Sequence, residues 1–161
     1  MNSFLKRYSP PGMDITHEKS WLIGGLPVGI LWSFVFFFRY ADAYEELFTR
    51  SGGEQVLKPG AVIQPFDEIM GPSLLALVLV AFIMLQFLFH HWFYFYQGSR
   101  SIYLMKRLPQ KGELVKRILI LPVLAFFICM AVLVLVRFLY FGVYLLVTPD
   151  SCLPANVWQQ F

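Results

Sequence analysis

The sequence predicts an all-α membrane protein with three transmembrane helices, N-terminus inside and C-terminus outside, and three observations carry that prediction. Hydrophobic residues make up 58% of the chain and charged residues 14%, whereas a soluble domain has nearly half apolar and about a quarter charged. Three long apolar stretches punctuate the 161 residues, each long enough for a bilayer. The Lys and Arg residues between them fall on alternate sides, which sets a direction. With 17 Phe among its aromatics, so short a chain has too little interior to hide its apolar surface, and the rest must face lipid or another subunit.

Residues 1–20 mix Phe4, Leu5 and Tyr8 with Lys6 and Arg7 ahead of Pro10 and Pro11, a composition that suits a short segment lying on the inner membrane surface. The first span, residues 21–38, is an uncharged run that extends roughly 27 Å as a helix against a hydrocarbon core of roughly 30 Å. Ala41-Asp42-Ala43 after it resembles a signal-peptide cleavage site. The run exceeds the usual apolar core of about 7 to 15 residues, however, and Arg39 intrudes before that site, so a span is the better reading. Within it, Gly24, Gly25 and Pro27 mark a kink or a close helix contact, and Gly25 with Gly29 has small-x-x-x-small spacing.

The outer segment, residues 39–73, begins with Asp42, Glu45 and Glu46, which suits a short helix over about residues 40–50. Loop follows through the turn-forming Gly52-Gly53 and then Pro59, Gly60 and Pro65. Its carboxylates lack the alternating spacing of a calcium loop and read as a solvated negative face. The second span, residues 74–96, contains no Asp, Glu, Lys or Arg and closes on the aromatic run 92–96, an anchor at headgroup level. A third apolar run, residues 118–147, would extend about 45 Å and must tilt or protrude. The outer tail, residues 148–161, completes what reads as one membrane domain over 1–161 without internal repeats.

Orientation follows from the rule that basic loops stay in the cytoplasm. Residues 1–20 and 97–117 hold nine of the 13 Lys and Arg; residues 39–73 and the tail hold three, among seven acids. The thirteenth, Arg137, lies inside the third run, about twenty residues of rise from Arg117, which puts it near the far interface. An intramembrane charge calls for a partner: Glu45, Glu46 or Glu68 of the outer segment, or a lipid or substrate phosphate, with plain snorkelling as the alternative.

Adjacent His90 and His91 point about 100° apart on a helix and cannot chelate one ion unaided, so no metal site is expected. His90 instead shares a face with Gln86 and Tyr94 at spacings of four, a polar stripe expected to turn toward a neighbouring helix or line a substrate path. Cys129 and Cys152 have neither metal-ligand spacing nor an evident disulfide role. The sequence has no serine triad, carboxylate pair, phosphate-binding glycine loop or CxxC, which argues against an enzyme and against a cofactor in this chain. A net charge of +3 is too small for a nucleic-acid partner.

The loop at residues 97–117, QGSRSIYLMKRLPQKGELVKR, sets six basic residues against one acid. Ser99 can cap a short helix that Pro109 ends near Leu108, with Ile102, Met105 and Leu108 on one side. Glu113 opens the third span, where the helix dipole favours a carboxylate. By charge alone, this is a loop resting on anionic lipid. The run SRSIYLMKRLPQKGELVKR also resembles the intracellular loop of bacterial ATP-binding-cassette exporter permeases, where a short coupling helix between the second and third spans docks on the ATPase.

That resemblance implies a permease subunit in the bacterial inner membrane, with ATP and magnesium on a partner ATPase. Lys106, Arg107, Leu108, Pro109, Glu113 and Leu114 would contact that partner. Permeases of this type commonly have about six spans, so a three-span chain implies a second membrane chain that completes the transport domain. A membrane scaffold or regulator holding a cytoplasmic partner through the same loop is the alternative.

Overall fold

The computed structural model describes residues 16–51, 54–96, 113–155 and 157; for residues 50, 51, 54, 55, 94–96 and 113–118 it describes the backbone alone. Helix α1 spans Thr16–Ser33 and α2 Val35–Glu45. Strands β1, Phe48–Ser51, and β2, Glu54–Leu57, follow, and then helix α3, Phe66–Met70. A 3-10 turn at Gly71–Leu74 leads into helix α4, Leu75–Tyr96. Helix α5 covers Glu113–Val147, and a second 3-10 turn lies at Asp150–Cys152. Three helical stretches, Thr16–Glu45, Phe66–Phe93 and Leu119–Val147, are long and apolar enough to cross a membrane. Each contains the core of an expected span. The first runs further than the apolar residues alone would carry it, because Glu18 in the first turn of α1 and the residues after Phe38 continue the helix.

Between α1 and α2 the helix tightens instead of ending. Phe34 N–H bonds the Leu31 carbonyl and Phe37 N–H that of Phe34, both three residues back. Ser33 supplies the cause: its Oγ donates to the Ile30 carbonyl at 2.6 Å, and such back-bonding bends a helix. The short helix expected over residues 40–50 is displaced. Helix α2 ends at Glu45, and Phe48 begins an antiparallel hairpin with Phe48 opposite Leu57 and Ser51 opposite Glu54. Only residues 52 and 53, the Gly-Gly pair, separate the two strands, the loop length that tight hairpins prefer.

The chain forms two compact units. The first comprises described residues within Met1–Val28 and Leu77–Ala131. Its core is Val80, Ala81, Met84 and Cys129, packed by Leu22, Leu26, Ile83, Phe87, Ala125 and Phe126. Gly25 lets the backbone of α1 approach α4: a β-carbon there would lie 3.1 Å from Val80 Cγ2, whereas Gly24 faces open space.

The second unit comprises described residues within Gly29–Ala76 and Val132–Phe161. Its core is aromatic. Phe36 stacks on Tyr140 with ring centroids 4.6 Å apart, and Phe66 meets Phe36, Phe141 and Tyr144 edge-on. Several of its buried hydroxyls are bonded, whereas Ser73 Oγ has no partner among the described residues. Ser33 Oγ shares a hydrogen bond with Tyr140 (2.8 Å), Tyr40 with Thr148 (2.9 Å), and Tyr144 donates to the Gln64 carbonyl (3.1 Å). Ile63 N–H bonds the Cys152 carbonyl at 2.9 Å, which ties the segment after the hairpin to the C-terminal 3-10 turn.

Candidate functional site

In the second unit, charge gathers on one short segment, residues 66–72. Pro65 has extended dihedrals and starts α3, so Asp67 and Glu68 occupy its first turn, where carboxylates suit the dipole. Arg137 Nη2 donates to Asp67 Oδ1 at 2.9 Å, and its guanidinium carbon lies 5.8 Å from the centre of the Phe66 ring. Arg137 thus finds a carboxylate in Asp67, a residue that was not among the expected partners Glu45, Glu46 and Glu68. The helical start at Phe66 turns Asp67 toward α5 and sets Glu68 about 100° further round. The side chains are 33% and 57% exposed, so water screens the pair.

Arg39 reaches the same segment from α2. Its Nη1 fills the space that a β-carbon at Gly71 would take, and Gly71 holds φ at 31°, a conformation that favours glycine. Trp32 Nε1 donates to the adjacent Pro72 carbonyl at 3.2 Å.

In the first unit the notable polar contact joins Glu18 to His91, between Glu18 Oε1 and His91 Nε2. His91 is fully buried and Glu18 nearly so, which makes this the counterpart of the exposed Arg137 pair. Gln86 and His90, by contrast, are exposed, and Tyr94 contributes only its helical backbone to the description. The packed face of α4 repeats through Leu77, Val80, Ala81, Met84 and His91, so His91 lies on it and the stripe 86, 90, 94 does not.

Lys106, Arg107, Leu108 and Pro109 lie outside the described residues, as does the helix expected between Ser99 and Leu108. Glu113 and Leu114 are the first two residues of α5, with only their backbone described. Among the described residues, no three His, Cys, Asp or Glu side chains come together in a manner that would hold a metal. Cys129 and Cys152 are free and buried.

Sequence reasoning missed Glu18 and Asp67. The signal for Glu18 was present: continuing the face of Leu22 and Leu26 back by one turn lands on it. Asp67 had no comparable signal, because its partner lies 70 positions away.

These features define a mostly helical, multi-pass membrane protein that carries the polar contacts Glu18–His91 and Arg137–Asp67. No family model matches the chain, and no characterised protein or solved structure matches it.

Proposed function

We propose that the chain is a permease subunit of an ATP-driven transporter of the ATP-binding-cassette type, seated in a bacterial inner membrane. In this reading a cytoplasmic ATPase carries the nucleotide and magnesium, and the loop at residues 97–117 passes its movement to α4 and α5. The observation that supports it most is the loop sequence: six basic residues, one acid and a Pro-terminated helical pattern between two apolar helices. Only 17–33% of each apolar window is buried within the chain, which leaves surface for lipid or for the second membrane chain that this reading calls for.

The test separates a shaped dock from a merely positive loop. Each Lys or Arg near an anionic surface contributes roughly 1 kcal/mol wherever it sits, so lipid binding follows total charge. Glu113→Ala and Gln110→Lys each add one positive unit, and lipid attraction treats them alike. Docking separates them, because losing a carboxylate contact leaves a cation of the partner unpaired, at a cost of a few kcal/mol. The expected result is loss of ATPase co-purification and of stimulated hydrolysis with Glu113→Ala alone. Equal behaviour of the two variants would remove the coupling role and leave the scaffold as the better account.

A further inference from the structure

We infer that Arg39, whose guanidinium lies against Gly71, binds the headgroup phosphate of a phospholipid. Two arginines touch the segment 66–72, and they differ in one respect. Arg137 bonds Asp67. Arg39 has no hydrogen bond or ion pair among the described residues, although Asp42, Glu45 and Glu46 lie within two turns of it on the same stretch. Arg39 lies just past the apolar run 21–38, near the end of a helix long enough to cross a membrane, the level at which headgroups lie, and its planar fork matches phosphate oxygens two at a time.

The surroundings are built for one position of that fork. Gly71 has a positive φ and no β-carbon, and the missing β-carbon is what leaves room for the guanidinium. Seven residues before Arg39, Trp32 is exposed by half and fixed by its N–H to the Pro72 carbonyl. Leu75, at the start of α4, is also exposed. An interfacial Trp with a neighbouring apolar side chain below a guanidinium matches the order of a phospholipid, with phosphate above and acyl chain alongside. Carboxylates elsewhere on this part of the chain would repel a free polyanion. One phosphate on one arginine, with its chain against Trp32 and Leu75, avoids that repulsion.

The experiment is native mass spectrometry of the delipidated full-length protein titrated with short-chain phosphatidylglycerol, with inorganic phosphate as the competitor that lacks a chain. The wild type is expected to retain one lipid, and millimolar phosphate to displace little of it. Arg39→Gln should lower occupancy about tenfold, and Arg39→Lys, which keeps the charge and loses the fork, severalfold. Gly71→Ala should act like Arg39→Gln with every charge in place. Lys19→Gln, an exposed lysine elsewhere, makes the same charge change and should leave occupancy unchanged. If Arg39→Gln or Gly71→Ala perturbs helicity by circular dichroism, Arg39→Lys carries the comparison. Wild-type occupancy in Arg39→Lys and Arg39→Gln, an equal loss with Lys19→Gln, or full displacement by inorganic phosphate would each overturn the inference.

Discussion

Arg137–Asp67 and Glu18–His91 each join a carboxylate to a nitrogen donor and differ in surroundings, and that difference decides their worth. Arg137 and Asp67 are both wet, so their pair should contribute on the order of 0.2–1 kcal/mol, with a little more from the Phe66 ring. Glu18 and His91 are enclosed, and breaking a buried hydrogen bond by removing one partner costs about 1–3 kcal/mol. Double-mutant cycles with Glu18→Gln and His91→Leu, and with Asp67→Asn and Arg137→Leu, read by denaturation in detergent, should give the larger coupling at Glu18–His91. A larger coupling at Arg137–Asp67 would mean that burial does not govern these pairs.

At the scale of elements, what joins α2 to α5 in the second unit is ring packing, while Ser33 of α1 meets α5 through a hydrogen bond. Ser33 has one proton and donates it to Ile30, so Tyr140 must donate to Ser33. Tyr140→Phe deletes that donor yet leaves Ser33 bonded, and interhelical hydrogen bonds of this kind average about 0.6 kcal/mol in membranes. Tyr140→Ala removes the ring stacked on Phe36 and touching Phe37. In water, losing a buried aromatic ring costs about 3–5 kcal/mol; where lipid replaces water the transfer part falls away and the packing loss stays. Thermal unfolding in micelles should therefore place Tyr140→Phe near the wild type and Tyr140→Ala well below it. Similar losses for both would assign the contact to the hydroxyl.

For the whole molecule, direction across the membrane rests on charge. Nine basic residues on residues 1–20 and 97–117 face three on the segments that alternate with them, and that bias predicts the loop at residues 97–117 inside and the hairpin outside. With Cys129 and Cys152 replaced, a single cysteine at Gly53 should react with an impermeant thiol reagent on intact cells, and one at Gly112 should not. The opposite pattern would invert the orientation and place the proposed docking loop away from any cytoplasmic ATPase.

Helical class, span number and the approximate span positions were legible in the sequence, because they depend on runs of apolar residues and on the spacing of charges. Glu113 as the start of the third helix was legible too, from a local preference for a carboxylate at an N-terminus. The hairpin was half legible: Gly52-Gly53 marked the turn, but four-residue strands carry too little pattern to announce their pairing. The partners were not legible. Whether Arg137 meets Asp67 or Glu68, whether His90 or His91 turns inward, and what occupies the space above Gly71 depend on the rotation of each helix about its axis. Where apolar side chains surround a helix, composition says little about that rotation, and only packing between distant segments fixes it.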